Sequence, residues 1–221
     1  MQSLGLTLQN AAQRIGRLDA RWLIGHVLKL SHAQVLGESQ RLLTQDELFH
    51  INRLVQRRAG GEPLAYILGE AGFYGRMFKV SPAVLVPRPE TEEVVEQALR
   101  LIAELPQPRV VDLGTGSGVI AITLALERPD ARVTGIDLSA DALMVARSNA
   151  ARHDARVEWR QGDWFQPLRH EMKTAGKAWE GFDLIISNPP YIAAMTPICP
   201  ATVSVWNPVW PSRMRQTVCN A

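Results

Sequence analysis

Apolar positions along this chain follow two different spacings. In the first seventy residues they recur at helical intervals. Leu18, Trp22, Leu23, Val27 and Leu30 share one face, which breaks at Ser31-His32, and Leu48, Ile51, Leu54 and Val55 share another. Thr44-Gln45-Asp46-Glu47 has the form of a capping box, so the second helix is predicted to start there, with Gly60-Gly61 ending it. Helices this few cannot enclose a large core, and they predict a small bundle leaning on something else. From Gly72 to Val86, short apolar segments interrupted by Gly75 and Pro82 predict a hairpin or crossover. Pro87-Arg88-Pro89-Glu90-Thr91-Glu92 then leads into a helix carrying Val94, Val95, Ala98, Leu99 and Ile102. Prolines before a helix and acids in its first turn suit its start, and Arg88, held between two prolines, is presented as a fixed cation.

Beyond residue 108 the pattern alternates. Strands are predicted over 109–113, 132–136, 157–160 and 182–187, with helices over 119–127 and 140–151. The strand segments are near-continuous apolar runs, as expected of parallel strands buried on both faces. Alternation at this spacing implies right-handed crossovers and a doubly wound α/β sheet. The chain has no internal repeat and no low-complexity segment.

A length of 221 residues fits one full domain plus a small one. The formal net charge of +2 looks mildly basic, but residues 193–221 hold Arg213 and Arg215 and no acid, which leaves 22 basic and 22 acidic residues in the rest. A generic nucleic-acid-binding surface is therefore not indicated. Cys199 and Cys219 both lie in that last stretch, so the body has neither a disulfide framework nor a metal-ligand cluster. No apolar run approaches membrane-spanning length. Residues 1–21 are poor in acids and carry Arg14, Arg17 and Arg21, as a transit peptide does, but they continue smoothly into an amphipathic helix. A cytoplasmic protein without a membrane partner is the expectation.

The chemistry is concentrated at the predicted carboxyl ends of the strands. Gly114-Thr115-Gly116-Ser117-Gly118 sits between the first strand and its helix, where glycines permit a tight turn and close approach of a ligand. Asp137 ends the second strand, 19 residues after Gly118, and a carboxylate there can accept from two adjacent ribose hydroxyls. The same residues could also do no more than turn the chain and cap a helix. The spacing G-x-G-x-G departs from the pyrophosphate fingerprint G-x-G-x-x-G. Asp112, before the loop, can take the ammonium end of a methionine moiety, directly or through water. Asp163 can accept from an adenine amino group and Trp164 can pack on the ring, unless that indole is ordinary core. Asn188-Pro189-Pro190-Tyr191 follows the last strand. An amide or aromatic amine nitrogen is a poor nucleophile and must be held with its lone pair along one line. The Asn188 side-chain oxygen and the Pro189 carbonyl can each accept one hydrogen of an NH2 group, Pro189 and Pro190 stiffen the turn, and Tyr191 offers a flat face. Together these features favour S-adenosylmethionine over a nicotinamide dinucleotide, and methylation of a planar NH2.

These residues resemble the peptide chain release factor glutamine-N5 methyltransferases of the HemK/PrmC type. The resemblance runs from about residue 18 to Ile192. It rests on Arg57-Arg58, Gly61-Glu62-Pro63-Leu64-Ala65-Tyr66-Ile67-Leu68-Gly69, Phe73-Tyr74-Gly75 and Phe78-Lys79-Val80-Ser81-Pro82. Leu85-Val86-Pro87-Arg88-Pro89-Glu90-Thr91-Glu92, the glycine-rich loop with Asp112 and Leu113, and Ser187 to Ile192 complete it. Asn-Pro-Pro-Tyr alone is shared with adenine-N6 DNA methyltransferases; the segments between Gly61 and Glu92 make the match specific. The resemblance implies a helical substrate-recognition domain over 1–71, a hairpin linker over 72–90 and a Rossmann-like methyltransferase domain over 91–192. It further implies that Gly114 to Gly118, Asp137 and Trp164 bind the cofactor, and that Asn188 to Tyr191 bind the glutamine of a release factor's Gly-Gly-Gln motif. No direct nucleic-acid partner is expected.

After Ile192 the likeness stops. Residues 193–221 contain no Leu, Gly, Phe, Asp, Glu or Lys, but four prolines, Trp206 and Trp210, a composition like that of a shifted reading frame. The expectation is an aberrant tail, an incomplete sheet with an apolar edge of unpaired backbone groups, poor solubility and impaired turnover. An adenine-N6 nucleic-acid methyltransferase and a non-catalytic cofactor-binding fragment are the alternatives.

Overall fold

The computed structural model describes residues 2–168 and 181–188, together with the backbone of 202–204 and 217–218. The chain divides into two compact units, Met1–Gly69 and Glu70–Ala221.

The first unit is helical. A short antiparallel pair, β1 (Gln2–Ser3) and β2 (Leu42–Leu43), brackets α1 (Leu4–Ile15), α2 (Arg17–Leu28) and α3 (His32–Gly37); α4 (Gln45–Ala59) and α5 (Leu64–Leu68) follow. The helical run expected around Leu18 to Leu30 is preceded by a separate helix, because Gly16, at φ 85°, turns the chain between α1 and α2. Ser31 does more than interrupt: its side chain caps α3 in a capping box with Gln34. The box expected at Thr44 is formed. Thr44 Oγ1 accepts from the Glu47 amide at 3.2 Å and Glu47 Oε2 accepts from the Thr44 amide at 2.8 Å. Leu4, Leu23, Ile24, Val35, Leu43, Ile51 and Val55 are buried together as the core of this unit. Arg58, near the end of α4, pairs with Asp19 in the first turn of α2 at 2.6 Å.

The second unit begins with a hairpin, β3 (Glu70–Phe73) and β4 (Arg76–Lys79), closed by Tyr74 and Gly75 at φ 48° and 70°. Positive φ at both turn positions matches the twist of the two strands. Helix α6 (Glu90–Leu101) follows. Then come β5 (Arg109–Leu113), α7 (Val119–Glu127), β6 (Arg132–Asp137), α8 (Ala140–His153), β7 (Val157–Gln161) and β8 (Leu184–Ser187). β9 (Thr202–Ser204) and β10 (Thr217–Val218) complete the sheet, whose order is β10-β9-β8-β5-β6-β7. β8, β5, β6 and β7 are mutually parallel. Val110, Ile120, Ile122, Leu124, Val95, Phe78, Leu184 and Ile186 form the core on one side of it, and Val111, Leu113 and Ile136 seed a smaller one. α7 is buried all round from Val119 to Leu124, which explains its unbroken apolar sequence.

The doubly wound α/β architecture is thus present, Rossmann-like in its parallel strands, with a small helical unit before it. The bare edge expected on β8 is not found. Thr202–Ser204 pairs antiparallel along it, Ile186 opposite Val203, so the β8 backbone groups have partners in β9.

Replacing Thr44 by Ala removes one half of the capping box and leaves the Glu47 amide without its acceptor. The variant is expected to lose about 1 kcal/mol of stability in urea unfolding. Stability unchanged from wild type would show that the box is redundant with the Arg41–Glu47 pair.

Candidate functional site

The sheet's strand order reverses at β5: the chain goes outward to β6 and β7, then returns to place β8 on the opposite flank of β5. In open α/β sheets the crevice outside the carboxyl ends of the strands at such a reversal is where ligands bind. Two segments emerge there side by side, the glycine-rich loop after Leu113 and Asn188 after Ser187. The Ser187 hydroxyl donates to the Leu113 carbonyl at 2.9 Å and ties the two strand ends together. Gly114, Thr115, Gly116, Ser117 and Asn188 accordingly line one cleft, with Leu85 to Arg88 and Thr91 on its other wall.

The loop is held from below and from the side. Asp112 is buried, and its Oδ2 accepts from the Thr115 hydroxyl at 2.6 Å. Its Oδ1 is buried without a hydrogen-bond partner of ordinary geometry. Burial pushes this carboxyl up to about 6; the Thr115 hydroxyl and the Ala121 amide pull the other way, and the Asp137 charge adds to the rise. Asp137 uses both oxygens on backbone amides, accepting from Gly116 at 2.8 Å and from Ser139 at 2.9 Å. The cap of α8 is Ser139, whose hydroxyl accepts from the Ala142 amide at 3.1 Å, so Asp137 ties the glycine loop to the residue before the helix, and each of its oxygens retains a further lone pair. Asn149, fully buried in α8, is a brace that the sequence reading missed. Its Oδ1 accepts from the Lys79 amide at 2.7 Å, and its Nδ2 donates to the Lys79 carbonyl at 3.0 Å and the Ser117 carbonyl at 2.9 Å. The Trp159 indole lies so close over Gly135 that an added Cβ would come within 2.4 Å of the ring, which is why that strand position must be glycine.

The loop amides are mostly spent inside the protein. Gly114 and Thr115 donate to the Ile136 carbonyl, Gly116 to Asp137 and Gly118 to the Thr115 carbonyl. A pyrophosphate cradle needs such amides free and turned outward. A loop with its amides consumed and two carboxylates behind it suits a ligand that is not anionic at that point.

Trp164 is not core. It stands 55% exposed at φ 47° after β7, and Asp163 beside it is also exposed. Leu138, which the sequence reading passed over, is 69% exposed immediately after Asp137. The loops that carry them are joined, since the Gly162 amide donates to the Asp137 carbonyl at 3.0 Å and Gln161 to the Leu138 carbonyl at 3.3 Å. Leu138 and Trp164 are thus exposed apolar side chains on neighbouring loops, next in sequence to Asp137 and Asp163.

Asn188 Nδ2 donates to the Thr91 hydroxyl at 2.8 Å. Glu92, next to it, accepts the Tyr74 amide at 2.7 Å and so fastens the hairpin turn to α6. Pro189, Pro190 and Tyr191 lie outside the described residues, as do Arg213, Arg215 and both cysteines. Among the described residues there is no group of His, Cys, Asp and Glu able to hold a metal ion, and no helix long and apolar enough to cross a membrane.

Residues 2–69 match the family described as PrmC N-terminal domain, and residues 106–208 match that described as methyltransferase domain. The chain thus carries a PrmC N-terminal domain followed by a methyltransferase domain. It is 47% identical over 180 residues to a release factor glutamine methyltransferase of Neisseria gonorrhoeae, which covers 81% of this chain and 62% of the relative. A relative of the same name from Bordetella pertussis is 46% identical over 177 residues, 80% of this chain and 63% of its own length. The chain thus spans a little over three fifths of these curated relatives. Among solved structures, a SAM-dependent methyltransferase from Agrobacterium tumefaciens aligns over 55% of this chain and 39% of its own, at 21% identity and a TM-score of 0.43.

Asp112 gives a pH prediction. Its folded value of about 6 lies above the ordinary 3.8, so its protonated form stabilises the fold. That contribution is full below about pH 4 and is lost as pH rises through about 6. Asp112→Asn removes the dependence. At pH 7.5 the ligand-free variant should exceed wild type by on the order of 1–3 kcal/mol in urea unfolding, a gain that vanishes near pH 4. A difference between the two proteins that does not change with pH would refute it.

Proposed function

We propose that this chain carries the methyl-transfer site of a protein-(glutamine-N5) methyltransferase, using S-adenosylmethionine and acting on the glutamine of a release factor's Gly-Gly-Gln motif. The observation that carries the reading is that Asn188 and the glycine-rich loop line the same cleft at the sheet reversal. When bound, S-adenosylmethionine supplies an electrophilic methyl group on a sulfonium that becomes a neutral thioether once the methyl has left.

The chain's own residues would position both reactants. Leu138 and Trp164 would flank the adenine, with Asp163 accepting from its amino group. The free lone pairs of Asp137 would take the ribose hydroxyls. Asp112, buried under the loop, would place negative charge beneath the methionine end. Asn188 Oδ1 would accept one hydrogen of the glutamine NH2, the Pro189 carbonyl the other, and Tyr191 would pack on the amide plane. Held this way, the nitrogen lone pair points along the line of attack, and its proton can pass to water after the N–C bond forms. In-line placement is the main source of rate here, since the leaving group needs no acid.

Labelled-methyl transfer to a release factor tests this, with the same factor carrying Gly-Gly-Ala and an adenine-containing DNA duplex as the other acceptors. Label is expected in the Gly-Gly-Gln factor alone, and Asn188→Ala should lower turnover about a hundredfold or more while cofactor affinity changes far less. Label in DNA would favour the adenine-N6 alternative, and cofactor binding without transfer to either acceptor would favour a non-catalytic fragment.

A further inference from the structure

The contact between Asn188 and Thr91 joins two motifs 97 residues apart and gives Thr91 a task of its own. We infer that Thr91 is the positioning residue that holds the Asn188 carboxamide with its oxygen toward the substrate. This rests on the reading of Asn188 as the group that holds the target amide.

A carboxamide has one accepting end and one donating end, which are close in shape and opposite in function. The target NH2 is itself a donor. It is held only if the oxygen of Asn188 faces it; turned over, the residue would oppose two NH2 groups and the target would be repelled. Nothing in a turn of prolines selects between the two orientations. The arrangement in this structure is the productive one: the Thr91 hydroxyl accepts from Nδ2 at 2.8 Å, and Oδ1 is left for the incoming amide.

The hydroxyl is well fixed for this. Thr91 is 4% exposed and stands in the first turn of α6, where its amide donates to the Arg88 carbonyl at 3.0 Å and the Glu92 amide to the Pro89 carbonyl at 2.9 Å. The prolines on either side of Arg88 limit the backbone just before it. Among the described residues, Asn188 is the one side chain bonded to that hydroxyl. The opposite partner is equally constrained, because Ser187 is tied to Leu113 one residue before Asn188. A buried acceptor aimed at one amide, with both backbones pinned, is more than a helix-start preference for Thr requires.

Thr91→Val keeps the shape and removes the acceptor, and Thr91→Ser keeps the acceptor. In 15N spectra of the full chain, the Asn188 side-chain NH2 pair is identified by its loss in Asn188→Ala. Solvent exchange of that pair should be about tenfold faster in Thr91→Val than in wild type and near the wild-type rate in Thr91→Ser. In methyl transfer to a release factor, Thr91→Val should lower kcat by about tenfold to a hundredfold with S-adenosylmethionine affinity unchanged, and Thr91→Ser should recover most of it. Exchange that is the same in Thr91→Val and wild type, or faster exchange with kcat intact, would overturn the assignment. If wild type transfers no methyl at all, the functional reading falls, and the exchange comparison alone decides whether Thr91 orients the carboxamide.

Discussion

The site depends on one feature of the sheet: β5 is paired on both sides by parallel strands that come from different directions in the chain. Asp112 sits opposite Gly135 of β6 and Ile186 of β8 in the two registers. Three strands therefore end at nearly the same height, and the segments leaving them are forced into one crevice. Thr115, Asp137 and Asn188 occupy that edge because of this pairing. A one-residue slip of β8 would turn Ser187 away from Leu113 and carry Asn188 out of the cleft.

Around this edge the protein places buried and half-buried polar groups that serve the loops rather than the core. Asp112 and Thr115 hold the glycine turn from beneath, Asn149 holds Ser117 from the side, and Thr91 and Glu92 hold Asn188 and the hairpin turn from α6. Each is a local cost in desolvation that a purely structural sheet would avoid, and at Asp112 the cost is visible as a carboxyl pushed up to about 6. The compensation lies in geometry: the groups leave the loops few alternative arrangements, as expected where a weak nucleophile has to be aimed.

Much of this was legible in the residues. The alternation of apolar runs with helical stripes located β5 to β8 and α7 to within a few residues, because β5, β6 and β8 are mostly buried, while the edge strand β7 shows up through Val157 and Trp159 alternating with Glu158 and Arg160. The capping box at Thr44 is a local signal and was read locally. Less legible were the long-range partners. Asn149 looks like any polar residue on a helix until the fold brings Lys79 and Ser117 to it. Thr91 and Glu92 read as good helix-start chemistry, which they also are, and their bonds to Asn188 and Tyr74 follow only from packing. The edge of β8 was expected to be bare, yet Thr202-Val203-Ser204 supplies backbone pairing along it, since a ladder needs amides and carbonyls, not particular side chains. The turn of Pro189, Pro190 and Tyr191 lies outside the described residues, so its share in binding stays with the proposal.

The central claim is that the methyl donor and Asn188 share the crevice at the β5–β8 reversal. Nuclear Overhauser contacts from S-adenosylmethionine labelled with 13C at its methyl group, bound to the full chain, test it directly. The account predicts contacts from that methyl to the side chains of Asn188 and Thr91. Binding with methyl contacts only to residues of the β7 edge, and none to Asn188, would contradict it.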